Sequence, residues 1–139
     1  MESQDLRKVG LKVTLPRIKI LEMLEHSATR HWSAEDVYRA LLESGDDVGL
    51  ATVYRVLTQF EIAGLVTRHN FATGHSVFEL YQGEHHDHML CVKCGKIAEF
   101  VDATIEDRQR KMAQEAGWDM TDHALVIYGV CPQCQVREG

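Results

Sequence analysis

The stretch LATVYRVLTQFEIAGLVTRHNFATGHSVFEL, residues 50–80, changes its periodicity once. In its first half Val53, Val56, Leu57 and Phe60 recur at i, i+3, i+4 and i+7, the apolar stripe of a helix, and Gly64 supplies a stop. The opposite side of that helix carries Ala51, Thr52, Tyr54, Arg55, Thr58 and Gln59, small or hydrogen-bonding residues with one cation and no acid. Such a face suits contact with DNA bases. In the second half Leu65 to Phe71 and Ser76 to Leu80 read as two strands around a hairpin loop, Ala72-Thr73-Gly74-His75. Working back toward the N-terminus, Ser33 with Asp36 three residues on is a capping-box start for a helix whose apolar face is Ala34, Val37, Tyr38 and Leu41. Before it, Pro16 can open a helix at its first turn, with Ile18, Leu21 and Leu24 behind it. Three helices followed by a hairpin describe a winged helix-turn-helix.

Beyond Gln82-Gly83-Glu84 the pattern changes. Short strands are expected around Met89–Val92 and Ile97–Val101, a helix over about Thr104–Ala116 stopped by Gly117, and a strand at Ala124–Val130. The boundary falls at Tyr81–Glu84, which divides the chain into domains 1–82 and 83–139 and makes the fold class α+β. A second domain of about 55 residues has a marginal hydrophobic core, and a metal or an oligomeric contact usually stabilises one that small.

The composition, 45% hydrophobic and 26% charged over 139 residues, excludes collagen-like and disordered character. The longest apolar run, Ala124 to Cys131, is far below the roughly 20 residues of a spanning helix, so no membrane partner is expected. The first residues mix both charge signs with no apolar core, and a cytoplasmic location is expected. Fifteen Lys and Arg against 21 Asp and Glu give a net charge of −6, at face value an obstacle to nucleic-acid binding. The acid is concentrated from Tyr81 onward, where ten acidic residues face six basic ones. Residues 1–19 instead carry five basic residues (Arg7, Lys8, Lys12, Arg17, Lys19) against two acidic ones. Bound divalent cations would offset the acid further.

All four cysteines lie in two Cys-x-x-Cys pairs, Cys91/Cys94 and Cys131/Cys134. Four thiolates close a tetrahedral Zn²⁺ shell, and the knuckle-like Cys91-Val92-Lys93-Cys94-Gly95-Lys96 supports a structural site with no open position for catalysis. A second ligand-rich segment is Glu84-His85-His86-Asp87-His88. In an extended chain His85 and Asp87 point to one face and His86 and His88 to the other, so one segment can feed two metal sites. Completing them takes distant residues, for which His31, Glu79, Glu99, Glu106 and His123 are available; spacing does not say which goes where. His26, His69 and His75 have no such company and read as surface histidines.

These motifs resemble the ferric uptake regulators, metal-dependent bacterial repressors. The resemblance runs from Gly10-Leu11-Lys12-Val13-Thr14-Leu15-Pro16-Arg17 through Ser33-Ala34-Glu35-Asp36-Val37-Tyr38, Gly49-Leu50-Ala51-Thr52-Val53-Tyr54-Arg55-Val56-Leu57 and His85-His86-Asp87-His88 to the last cysteine pair. It implies an N-terminal winged helix joined by a hinge to an α/β dimerisation domain. It implies a regulatory site of His31, Glu79, His86, His88 and Glu99, and a second site of His85, Asp87, Glu106 and His123. Fe²⁺ is the implied effector, with Mn²⁺, Co²⁺ or Zn²⁺ able to substitute in vitro. Peroxide-sensing relatives have Asp where this chain has Glu79 and Glu99, which favours the iron sensor; a zinc- or peroxide-sensing member is the alternative. On the DNA side the resemblance assigns base contacts to Tyr54 and Arg55 and the minor groove or backbone to Lys12; Thr52 and Thr58 are weaker candidates, equally readable as helix-surface residues.

The expected function is therefore a homodimeric, Fe²⁺-dependent repressor of iron homeostasis that binds a palindromic, A/T-rich operator, a tetramer being the other assembly to consider. A metalloenzyme is not expected, because there is no His-Glu-x-x-His helix and no nucleophile motif. A metal-delivery protein would share the ligands but need no winged helix.

Overall fold

A computed structural model describes residues 2–72, 74, 76–81 and 85–138, with side chains from residue 5 to residue 137. Parts of the hairpin loop (Thr73, His75), of the linker (Gln82, Gly83) and of the histidine-rich segment (Glu84) lie outside the described residues. The chain divides into two compact units, Met1–Gly83 and Glu84–Gly139.

The first unit runs α1 (Glu2–Lys8), α2 (Leu15–His26), α3 (Ala34–Glu43), α4 (Leu50–Ile62), β1 (Val66–Asn70) and β2 (Ser76–Leu80). Local chemistry sets where the helices start. Thr14 Oγ1 accepts a hydrogen bond from Arg17 N, with Pro16 in the first turn of α2. At α3, Ser33 Oγ accepts from Asp36 N and Asp36 Oδ2 accepts from Ser33 N, both at 3.1 Å, a closed capping box. The core is built where the apolar stripes meet: Ile20, Leu21 and Leu24 of α2, Val37 and Leu41 of α3, Val53, Val56, Leu57 and Phe60 of α4, and Phe78 of β2. Phe60 and Phe78 are fully buried. α1 was not anticipated from the sequence; its Leu6 joins this core.

The hairpin pairs Val66 with Leu80 through to Asn70 with Ser76. A further bridge had no sequence signal. Trp32 N donates to Phe78 O at 2.9 Å and Phe78 N to Trp32 O at 2.7 Å, so the chain entering α3 lies along β2. That bridge places His31, one residue earlier, beside Glu79, one residue later.

The second unit runs β3 (Asp87–Cys91), β4 (Ile97–Phe100), α5 (Ala103–Glu115), β5 (Val126–Gly129) and α6 (Pro132–Glu138). The sheet order is β4-β3-β5, with β4 antiparallel and β5 parallel to the central β3. The parallel pair requires a crossover, which α5 provides. Asp102 caps α5 by accepting from Thr104 N and Ile105 N at 2.9 and 3.2 Å. Because β3 and β5 are parallel, their C-terminal ends lie side by side, Cys91 opposite Gly129. The chain then turns at each end into a Cys-x-x-Cys segment. At β3 the turn is tight: Gly95 N bonds Cys91 O, and Gly95 sits at φ +79°, a backbone region that disfavours side chains.

Candidate metal centres and nucleic-acid interface

The parallel sheet ends bring both cysteine pairs together. Cys91 Sγ lies 3.8 Å from Cys134 Sγ, and Cys94 Sγ 3.7 Å from Cys131 Sγ. All four sulfurs fall within 4.8 Å of one another. A tetrahedron with Zn–S bonds of about 2.3 Å has edges of about 3.8 Å, so the spacing matches four thiolates on one zinc ion and is far too long for a disulfide. The protonation pattern suits an ion as well. Cys91 is pulled down to about 5, chiefly by the N–H of Cys131 directed at its sulfur and then by that of Cys94. Cys131 is also lowered, chiefly by the N–H of Cys134. Cys134 is pushed up to about 12, first by the adjacent Cys131 sulfur and then by burial. Close-packed sulfurs cannot all ionise unless a cation compensates them.

At the start of β3 the chain alternates as an extended strand does. His85 Nε2 is 2.9 Å from Asp87 Oδ1, while His86 Nε2 is 3.9 Å from Glu99 Oε2. His88 stands opposite Glu99 in the β3–β4 register and is buried. On the His85 side, ligand atoms of His85, Glu106 and His123 lie within 4.8 Å of one another, the His85 and His123 ring centroids being 4.0 Å apart. Asp87 is 1% exposed. Its Oδ2 and the Nδ1 of His123 are buried and have no hydrogen-bond partner among the described residues. The imidazoles of His85 and His123 with the Glu106 carboxylate fit a divalent cation of borderline softness, while Asp87 falls outside that three-residue group and meets it through His85.

In the first unit Glu79 is 7% exposed despite its charge. His31 Nε2 approaches its Oε2 at 3.4 Å and Arg30 Nη2 at 3.9 Å, while His69 Nε2 meets Oε1 at 2.6 Å. His69, read from the sequence as a surface histidine, is therefore part of this cluster; its ring stacks on Phe71 at 5.7 Å. Strand parity accounts for it once the hairpin register is known, since His69 and Thr67 share a face of β1 and Thr67 is the register partner of Glu79. His26 is exposed on α2.

On α4, Ala51, Tyr54 and Arg55 are exposed and Thr52, Thr58 and Gln59 half-buried, opposite the buried Val53, Val56, Leu57 and Phe60. Thr52 Oγ1 accepts from Arg55 Nη2 at 3.2 Å, which steadies a long cation on an open face. Arg17 of α2 donates to Lys12 O through Nη1 and to Gln59 Oε1 through Nη2, both at 2.9 Å. The loop bearing the exposed Lys12 is thereby tied to α4. Sequence reading named Arg17 only for its charge; its role as a tie depends on a contact 42 residues away. No helix among the described residues is long and apolar enough to cross a membrane.

Comparison with known proteins agrees over nearly the whole chain. The sequence model of the Ferric uptake regulator family matches residues 8–128. The ferric uptake regulation protein of Legionella pneumophila is 71% identical over 134 residues, 96% of this chain and 98% of the relative. Among solved structures, the Vibrio cholerae ferric uptake regulator superposes with a TM-score of 0.88 at 51% identity, covering 94% of this chain and 100% of that one. A Francisella tularensis ferric uptake regulator solved with iron gives a TM-score of 0.87 at 44% identity, covering 91% and 96%. The chain belongs to the ferric uptake regulator family and, by its high identity to ferric uptake regulation proteins, is an iron-responsive, metal-dependent regulator of transcription.

Proposed function

We propose that His31 and Glu79 of the first unit and His86, His88 and Glu99 of the second form one regulatory Fe²⁺ site, and that closing it selects the arrangement of a homodimer competent to read a palindromic, A/T-rich operator. The observation that carries this reading is that each unit holds its half of the donor set ready: His31 at 3.4 Å from the buried Glu79, and His86 at 3.9 Å from Glu99 with His88 across the ladder. Two carboxylates and three imidazoles suit Fe²⁺ and accept Mn²⁺, Co²⁺ or Zn²⁺. When bound, the ion supplies two positive charges and directional bonds. The chain supplies the rest: neither half has five ligands, so only both units together complete the shell. A coupling of about 1–3 kcal/mol between metal and DNA binding, roughly 5–150-fold in affinity, is the usual allosteric scale.

His85, Asp87, Glu106 and His123 form a second metal site on this reading, and Cys91, Cys94, Cys131 and Cys134 hold structural Zn²⁺. On the DNA side Arg55 donates to a guanine edge, Tyr54 lays its ring on a thymine methyl group, Thr52 supports Arg55, and Lys12 reaches the minor groove or backbone. The dimer is supported by the apolar residues the second unit leaves open, among them Met89, Val101, Met112, Trp118, Ile127 and Tyr128. The site of action is the cytoplasm, where the operator is.

Anisotropy of a labelled A/T-rich palindrome tests the proposal, with protein stripped of labile metal but keeping its zinc, under anaerobic conditions. Binding should tighten when Fe²⁺ or Mn²⁺ is added, and Arg55→Ala should lose DNA while retaining metal. Equally tight binding without added metal would overturn the co-repressor mechanism.

A further inference from the structure

One residue of the hairpin reaches across three positions of α4. Arg68, on β1 and opposite Phe78 in the hairpin register, donates from Nη1 to the Tyr54 hydroxyl at 3.2 Å and from Nη2 to Thr58 Oγ1 at 2.9 Å. Its Nε faces Glu61 Oε1 at 3.2 Å. Tyr54, Thr58 and Glu61 are i, i+4 and i+7, a single stripe along the helix. The guanidinium carbon lies 5.4 Å from the Tyr54 ring centroid and 4.8 Å from that of Phe78. Tyr54 stands edge-on to the buried Phe78, centroids 6.5 Å apart at 89°. The Thr58 hydroxyl that accepts from Arg68 donates in turn to the Tyr54 backbone carbonyl at 2.9 Å, which fixes Thr58 on the turn that carries Tyr54.

We propose that Arg68 is a positioning residue that fixes the Tyr54 ring for base reading and so sets base preference without touching DNA itself. The proposal rests on the reading that Tyr54 contacts a thymine methyl group. Tyr54 is 47% exposed and unanchored would sample several rotamers, each aiming the ring elsewhere. Arg68 removes that freedom before DNA arrives, and preorganisation of this kind improves affinity by lowering the ordering cost of binding. Two guanidinium nitrogens donate to α4, and Nε lies 3.2 Å from Glu61 Oε1, an ion pair without a hydrogen bond among the described residues, so the charge is paired within the protein. Lysine could not replace it, because a point charge lacks the planar fork that serves a hydroxyl on each side. The wing strand and the recognition helix are thus linked through one side chain.

The test uses the zinc-loaded, Mn²⁺-saturated protein and a palindromic duplex selected by the wild type from a random pool, compared with the same duplex carrying deoxyuridine in place of thymine. Wild type should prefer thymine by about fivefold, the lower end of what one mismatched base pair costs. Arg68→Met should bind both duplexes alike, at about the wild-type affinity for the deoxyuridine duplex, with the wild-type salt dependence. Tyr54→Phe, which keeps the ring and removes only the anchored hydroxyl, should reduce the preference with the fold undisturbed, and this variant decides the matter if Arg68→Met does not fold. Full thymine preference in Arg68→Met, or in Tyr54→Phe where that variant decides, would overturn the role of Arg68 alone. So would a salt slope in Arg68→Met reduced by about one, the mark of a lost phosphate contact. No thymine preference in the wild type would overturn the base-contact reading of Tyr54 and the proposal with it.

Discussion

The two units of this chain are stabilised by different physics. The first has a continuous core drawn from four helices and the hairpin, with Ile20, Val37, Val53, Leu57, Phe60 and Phe78 fully buried. In the second, the buried apolar residues among those described are Leu90, Cys91 and Cys134, joined by the buried Asp87 and His88, and no residue of α5 is buried. Hydrophobic burial carries the DNA-binding unit. Where that term is small, a cysteine cluster, side chains able to hold a metal ion and an open apolar face are found in its place. On the proposed reading the consequence is functional: a unit that relies on ligands and on a partner subunit should change its energetics when a ligand arrives, while the unit presenting α4 should keep its shape.

The sharpest way to break this contrast is to remove one sulfur. Cys134→Ser should cost the second unit its zinc, an apparent binding energy of about 10–16 kcal/mol at neutral pH in small zinc domains. Circular dichroism should show that unit unfolding while the helices of the first persist. Because the Cys134 thiol is raised to about 12, it is protonated near neutrality and must lose that proton to hold zinc. Zinc affinity of the metal-free protein should therefore rise with pH, and an affinity flat between about pH 6 and 8 would contradict the protonation pattern. The converse perturbation is Phe60→Ala. It should destabilise the first unit by about 3–5 kcal/mol in denaturant melts with zinc content unchanged. His88→Ala should abolish the metal-induced gain in DNA affinity, about 1–3 kcal/mol, with metal-free binding retained; a wild-type metal response would remove His88 from the regulatory site. Smallest is Asp36→Ala, which opens the capping box of α3 and should cost about 1 kcal/mol of first-unit stability alone.

Sequence reading reached what is local. The period of Val53, Val56, Leu57 and Phe60, the Ser33/Asp36 capping box and the Cys-x-x-Cys pairs all express physics acting within a few residues. Extended-chain parity separates His85 and Asp87 from His86 and His88, because alternation is a property of one strand. What stayed hidden depends on contacts between distant segments. The Trp32–Phe78 bridge, which sets His31 beside Glu79, joins residues with no shared pattern. His69 and Arg68 look like ordinary strand residues until the hairpin register is known, and Arg17 becomes a tie only once α2 packs on α4. The short flanking helices α1 and α6 also escaped, being too brief to show a period.

Metal and DNA sites that are energetically coupled, as proposed for this chain, are coupled reciprocally. The most direct test is therefore to titrate Mn²⁺ into the zinc-loaded protein, free and saturated with operator, and compare the two metal affinities. Operator should tighten metal binding by the same factor by which metal tightens operator binding, about 5–150-fold. Equal metal affinity with and without operator would contradict it.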